Sequence, residues 1–436
     1  MKIEKEEPAM KKMRCTICNE VFEEGLETCP VCGMGPKYFE PVEEENSGFR
    51  NDTDQTYVVM GGGVAAVSAV EAIRERDKTA TILMVSNEPY LPYHRPMLTK
   101  ALLGSCDPVS IVIHPENWYE ENRIIPLLSK TVESLDPEEK KVWLDDGTWL
   151  KYDKCIYALG AECYVPDYEG KDLAGVLTIR KVRDVKQIRE LLPKARNAAV
   201  IGAGVLGLEA AWELKQAGLA TALIGHSNQI MGKQLDKDGS NFMKSVIKNA
   251  GVELYLGAGI EGLEGDGEKV TGVKLSDGSV VPADIVILST GVRPNLKPVK
   301  SAGLDISRAI VVDAHMKTSV CDVFACGDCA EFDGMNYSIW PEAAAQGKVA
   351  GANAAGETIK YQNQAAGVSF SGMNSALYSI GDLGRDPEKV YRIVVSQNLE
   401  KGMYKKYWYV NDTLVGAILI GDIGDMAIVT EAVRGS

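Results

Sequence analysis

Short apolar runs, each closed by glycines and followed by an alanine-rich stretch, occur twice in this chain at matching places. At the first, Tyr57-Val-Val-Met60 reads as a buried strand, Gly61-Gly-Gly63 as a tight turn, Val64 to Arg76 as a helix, and Thr81 to Val85 as a second strand. At the second, Ala198-Ala-Val-Ile201 leads into Gly202-Ala-Gly204-Val-Leu-Gly207-Leu-Glu209, a helix to about Gln216, and a strand from Ala220 to Ile224. A further block is duplicated with them. Asp146-Gly147 followed by Asp153-Lys-Cys-Ile-Tyr-Ala-Leu-Gly160 matches Asp277-Gly278 followed by Asp284-Ile-Val-Ile-Leu-Ser-Thr-Gly291. Each copy pairs an Asp-Gly hairpin with an apolar strand ending in glycine, and the pairs share one offset, so this is a repeat of structure and not of composition.

Strand, glycine turn and helix in that order suit a dinucleotide. The first glycine makes the turn, the second lets backbone approach a pyrophosphate, and the third lets helix and strand pack closely. The helix start then offers N–H groups and a positive dipole end to the phosphates. Gly61, Gly63 and Ala66 fill these places in the first copy, and Gly202, Gly204 and Gly207 in the second. A carboxylate beyond the second strand is expected to hold ribose hydroxyls, and Glu88 fits in the first copy. The second copy has Gly225-His226-Ser227 there, with no carboxylate, and no arginine follows to hold a 2′-phosphate. His226 and Lys233 are the nearest cationic candidates, and NADH is favoured over NADPH.

Two other regions flank this repeat. Cys15-Thr-Ile-Cys18 and Cys29-Pro-Val-Cys32 form two knuckles whose four sulfurs suit a tetrahedral iron or zinc site. Residues 1–45 hold too few apolar side chains to fold without such a clamp, and the polar stretch 46–54 reads as a linker. From about Tyr361 the pattern changes to alternating strands, Val390 to Ser396, Lys406 to Val410 and Leu414 to Ile420, with Asn411-Asp-Thr as a turn. That is an α+β domain.

The chain has 436 residues, 45% of them apolar, enough for several domains with cores of their own. Its 47 basic and 61 acidic residues give a net charge of −14, which argues against a nucleic-acid partner. The start Met1-Lys-Ile-Glu-Lys-Glu-Glu-Pro lacks the apolar stretch of a signal peptide, and no apolar run is long enough for a bilayer. A cytoplasmic protein without membrane contact is expected, its ten cysteines being metal ligands and buried thiols.

Four ordered stretches go further: Glu88-Pro-Tyr-Leu-Pro-Tyr-His-Arg95-Pro-Met-Leu-Thr-Lys100, Gly291-Val-Arg-Pro-Asn295, Gly327-Asp328-Cys-Ala, and Pro341-Glu-Ala-Ala-Ala-Gln346-Gly-Lys. With them, residues 57 to the C-terminus resemble the two-dinucleotide-domain flavoprotein reductases of the NADH:rubredoxin, nitrite-reductase-like and ferredoxin-reductase type. The cysteine module resembles the rubredoxin-like domain of rubrerythrin. The implied architecture is α/β, with two Rossmann-like domains and a C-terminal α+β domain, preceded by a rubredoxin-like metal module. Its bounds are 1–45 for the module, 55–165 with 290–360 for an FAD domain, 166–289 for an NAD(P) domain, and 361–436 for the C-terminal domain. Relatives use that last domain over the flavin and for dimer contacts, so a homodimer is one arrangement the resemblance allows.

The same resemblance assigns roles. Gly61, Gly63 and Ala66 would meet the FAD pyrophosphate, Glu88 the adenosine ribose, and Val132 the adenine through its backbone. Arg95 and Lys100 would lie near the flavin, Asp328 at the ribityl-phosphate region, and the helix from Pro341 would aim its positive end at the flavin pyrimidine. Gly160, Gly291 and Glu342 join the cofactor-facing set, as do Gly202, Gly204 and Gly207 for NAD(P)H. Lys100 and Glu209 are the catalytic candidates, Glu209 orienting the nicotinamide. The redox cysteine that many relatives carry beside the flavin is missing. Cys326-Gly-Asp-Cys329 straddles the flavin-binding residues and reads as two small buried side chains, and Cys106 reads as ordinary. Electrons would therefore pass from NAD(P)H to FAD, to iron at Cys15, Cys18, Cys29 and Cys32, and on to an external redox protein or small molecule. Met13 and Asn19 depart from the rubredoxin pattern, and the gap between the knuckles is short, so zinc is the alternative to iron. With zinc, the enzyme would act directly at its flavin, or the module would serve as a protein-docking ribbon.

Overall fold

The computed structural model describes residues 12–18, 20–42, 48–100, 102–104, 107–363 and 365–435. Asn19, Cys106 and the start of the linker lie outside them. The chain forms two compact units: residues 48–364 with 372–375, and residues 1–47 with 365–371 and 376–436.

The larger unit is built on the repeat. Its first parallel sheet has the strand order Val323–Ala325, Lys154–Tyr157, Thr56–Met60, Thr81–Val85, Ile124–Leu127. Its second has Val176–Leu177, Ile285–Leu288, Asn197–Ile201, Ala220–Gly225, Glu253–Leu256. The central strands are covered on both faces, which is why they read as unbroken apolar runs: Val58, Val59, Met60, Ala198, Ala199 and Val200 are fully buried. Each sheet carries a three-stranded meander with the Asp-Gly hairpin at one turn. There Asp146 Oδ1 accepts from the backbone and hydroxyl of Thr148 at 2.9 and 2.6 Å, and Asp277 Oδ1 from those of Ser279 at the same distances. The duplicated Asp153 and Asp284 also do one job twice, each carboxylate accepting from the amide that opens a central strand, Thr56 N at 2.8 Å and Asn197 N at 2.9 Å.

The chain leaves the first sheet through Ala161–Cys163 and returns through Val292–Pro294, and these two segments pair antiparallel. After the return, the helix Trp340–Ala354 lies on the helix Val64–Arg76. Glycine makes that approach possible. A Cβ on Gly347 would stand 2.2 Å from Ala65 O, and one on Gly351 2.2 Å from Ala69 O.

In the smaller unit, a five-stranded sheet runs in the order Val368–Gly372, Ser375–Gly381, Thr413–Ile420, Met403–Val410, Arg392–Asn398. The helix Met426–Arg434 packs on the long strand Thr413–Ile420. A three-stranded sheet, Val21–Glu23, Lys12–Cys15 and Phe39–Pro41, frames the cysteine module. The α/β architecture with two dinucleotide-type folds, an α+β region and a small cysteine module is the one the sequence implies. Among the described residues, no helix is long and apolar enough to cross a membrane.

Candidate functional site: two glycine cradles and a four-cysteine centre

Both glycine turns have the same geometry. Gly61 and Gly202 sit at φ +138° and +122°, and a Cβ on either would stand 2.1 Å from a carbonyl oxygen, that of Ala158 or of Ser289. Gly63 and Gly204, two residues on, have nothing within 4 Å of where a Cβ would be. They begin the helices Val64–Arg76 and Val205–Gln216 without a side-chain cap, so first-turn N–H groups face an open floor. That geometry suits a diphosphate, and it is made twice. The third position differs between the copies: Ala66 is fully buried and fits, while a Cβ on Gly207 would stand 1.9 Å from Gly202 O.

The first cradle opens into a cleft lined in part by Ser86, Glu88, Arg95, Lys130, Gly160 and Arg180, with Val132 also on its wall. Glu88 is held on both oxygens, by Tyr93 OH and by Arg95 Nη2, each at 2.8 Å. Arg95 also donates to Tyr93 OH at 3.0 Å and to Arg180 O at 2.5 Å. Arg180 Nη2 in turn donates to Asp328 Oδ2 at 2.8 Å. Glu88, Arg95 and Asp328 thus belong to one network, joined by Tyr93 and Arg180, which the sequence reading missed. Gly160, at φ +64°, lies beside this network, because its Cβ would come 3.8 Å from Arg180 Nη2. Gly327, before Asp328, is fixed through Gln346 Oε1, which accepts from its N–H at 2.9 Å.

The helix expected from Pro341 starts one residue earlier, at Trp340, with the proline in its first turn, where a missing N–H costs nothing. Glu342 lies in that turn, buried, and accepts a hydrogen bond from Tyr361 OH.

In the second fold, Glu209 accepts from Thr99 Oγ1 at 2.6 Å. Burial pushes its carboxyl above the ordinary value, with Lys100 and Thr99 pulling the other way. The segment Met97–Lys100 thereby brings Lys100 and Glu209 together across the two folds. Thr99 was not singled out in the sequence, although it stands beside Lys100. Gly291, at φ +100°, is the hinge into the return strand, its carbonyl accepting from Tyr164 N at 2.9 Å. His226 and Lys233 are both exposed.

The four module cysteines converge. Cys15 Sγ lies 3.5 Å from Cys32 Sγ and Cys18 Sγ 3.5 Å from Cys29 Sγ, and all four sulfurs fall within 4.8 Å of one another. Metal–sulfur bonds of about 2.3 Å in a tetrahedron place sulfurs about 3.8 Å apart, so the donor set fits one metal ion. The knuckles are built alike: Cys15 N donates to Glu20 O and Cys29 N to Met34 O, each at 2.8 Å. Gly33 closes the second at φ +73°.

The remaining described cysteines offer no second centre. Cys326 and Cys329 are fully buried, and burial pushes both thiols up, Cys329 to about 12. Cys329 Sγ donates to Cys326 O at 3.2 Å. Both are small packed side chains under the first sheet.

Two nucleotide-type folds with these cradles define a class, and comparison with known proteins names it. Residues 55–347 match the pyridine nucleotide-disulphide oxidoreductase family, and residues 370–436 match the rubredoxin NAD+ reductase C-terminal domain. The chain belongs to the pyridine nucleotide-disulphide oxidoreductase family. It is 31% identical over 373 residues to the assimilatory nitrate reductase electron transfer subunit of Bacillus subtilis, across 85% of this chain and 48% of that one. It is 30% identical over 370 residues to the NADH-rubredoxin oxidoreductase of Clostridium acetobutylicum, across 84% of this chain and 91% of that one. A ferredoxin reductase of Rhodopseudomonas palustris superposes with a TM-score of 0.79 at 27% identity, covering 86% of this chain and 92% of its own. The chain spans about half the length of the Bacillus relative, and nearly all of the clostridial one.

Proposed function

We propose that the chain is an NAD(P)H-dependent FAD oxidoreductase that delivers electrons to an iron centre held by Cys15, Cys18, Cys29 and Cys32, and from there to an external redox protein or small molecule. The observation that carries this reading is the presence, on one chain, of two open-floored glycine cradles and four converging sulfurs. The names of relatives agree with it, among them an NADH-rubredoxin oxidoreductase and a rubredoxin-NAD(+) reductase.

Bound FAD supplies the exchange between a two-electron hydride and single electrons, and a four-thiolate iron accepts one electron at a time. The chain's residues do the rest. Gly61, Gly63 and Ala66 shape the FAD diphosphate cradle, with Glu88 and Val132 toward the adenosine side, Arg95 and Asp328 toward the flavin side, and Gly160 beside the Arg180–Asp328 pair. The helix from Trp340, with Glu342 in its first turn, would present its positive end to the pyrimidine ring of a bound flavin. Gly202, Gly204, Gly207 and Gly291 receive the nicotinamide nucleotide. Glu209, steadied by Thr99, and Lys100 orient its ring against the flavin. With no arginine after Ile224 to hold a 2′-phosphate, NADH is the favoured donor.

A second reading, a structural zinc with chemistry at the flavin alone, is favoured by the departures from the rubredoxin pattern at Met13 and Asn19 and by the short gap between the knuckles. Metal and flavin analysis of anaerobically purified protein, with NADH and NADPH compared as reductants, tests both. Iron at one per FAD supports the first. Zinc with flavin absorbance alone removes the relay.

A further inference from the structure

The cysteine module has no core of its own. Ile17, Phe22, Met34 and Tyr38 are buried to 8% exposure or less, yet four such side chains do not hold a domain together. They form one continuous cluster with Tyr378, Leu419, Met426, Val429 and Val433 of the C-terminal domain, and Cys15, Cys18 and Cys29 lie within it. The final helix, Met426–Arg434, ends on the first knuckle. Arg434 Nη1 donates to Thr16 O at 3.4 Å and Nη2 to Ile17 O at 3.3 Å, the two carbonyls between Cys15 and Cys18. Its Nε donates to Ala365 O at 3.3 Å, so one guanidinium ties the knuckle to the segment that leads into the sheet. The same helix is tied to the sheet through Thr430 Oγ1, 2.5 Å from Tyr378 OH.

We infer that the cysteine module and the C-terminal domain are a single metal-dependent folding unit, in which Arg434 is a positioning residue that clamps the first knuckle. This rests on reading the four cysteines as a metal site. No disulfide joins the two knuckles, so bonds to a shared metal are what would hold the four sulfurs within 4.8 Å of one another, and metal loss lets the knuckles open. The carbonyls that Arg434 holds then move, and the apolar surface beneath Val429 and Val433 loses its cover. The centre is therefore seated and not tethered. Cutting away residues 1–45 would strip this core as well as remove the metal.

The test uses the full chain with its FAD, loaded with Zn2+ as a redox-silent probe or stripped by a chelator under reducing conditions. Hydrogen exchange in Met426–Arg434 is expected to accelerate at least tenfold on stripping and to recover when Zn2+ is returned. Exchange in the strand Thr56–Met60 should stay unchanged. Arg434→Ala is expected to release Zn2+ to a chromogenic chelator about tenfold faster than the parent, with Arg434→Lys between them. A final helix indifferent to stripping, or Arg434→Ala releasing Zn2+ at the parent rate, overturns the inference while leaving the metal site standing. A chain that takes up no Zn2+ overturns both.

Discussion

Gly207→Ala asks whether the second cradle depends on one close approach. The added Cβ would stand 1.9 Å from Gly202 O and 3.0 Å from Gly202 C. Neither can yield, because Gly202 is fixed by its N–H to Ile224 O at 2.8 Å and has the Ser289 carbonyl against its other side. To reach van der Waals contact the helix Val205–Gln216 must back away by about 1.5 Å, carrying its first-turn N–H groups off the diphosphate. Overpacking against unyielding backbone belongs at the upper end of the usual range, about 2–3 kcal/mol. At 1.4 kcal/mol per decade this is about 30- to 150-fold if expressed in nucleotide binding. Anaerobic titration of flavin reduction by NADH measures it. FAD content should be unchanged and the apparent NADH affinity at least tenfold weaker, with the remaining cost appearing as a lower unfolding midpoint. Ala66→Gly is the control, since the first copy already accommodates a Cβ, and only about 1 kcal/mol of helix propensity is lost. A Gly207→Ala protein with parental NADH affinity and stability would refute the reasoning.

Other expectations follow from the same geometry. Gly351→Ala would put a Cβ 2.2 Å from Ala69 O and should lower stability by about 2–3 kcal/mol, read by denaturant unfolding, with loss of FAD retention. Burial pushes Asp322 up, but Lys140 at 2.7 Å and Lys154 outweigh it and hold the carboxyl at about 2. Its stabilisation is thus present above the ordinary carboxylate pKa and is lost as pH falls from about 4 to about 2. Asp322→Asn should flatten that part of the stability–pH curve and cost about 1–2 kcal/mol at neutral pH, after allowance for solvent screening. Glu209→Gln should keep FAD but slow its reduction by NADH about a hundredfold in stopped flow, through misplacement of the ring. Because burial raises Glu209, its contribution to stability falls as pH rises past the ordinary carboxylate value, and the variant should lose that slope.

The parts legible in the sequence are those where backbone geometry restricts residue type. Gly61 and Gly202 stand at positive φ against a carbonyl, Gly63 and Gly204 floor an open cradle, and the Asp-Gly hairpins recur because each carboxylate serves its own turn. Cysteine pairs are legible because two sulfurs three residues apart can meet one ion. Arg180 gave no signal. Its partner Asp328 lies 148 residues on, and its carbonyl meets Arg95 only after both folds have formed. Tyr93 looked like one aromatic among several in an ordered motif. Arg434 was equally silent, as its target Thr16 is 418 residues away. The strands read over Lys406 to Val410 and Leu414 to Ile420 announced a sheet, but a strand pattern does not say what covers the sheet, and here part of the cover is the cysteine module.

Anaerobic stopped-flow mixing of the purified holoprotein with NADH tests the proposed route most directly. Rapid flavin bleaching followed by loss of iron–thiolate absorbance is expected, with the second phase abolished in Cys18→Ser while the first persists. Flavin bleaching followed by no change at the four-cysteine centre would contradict it.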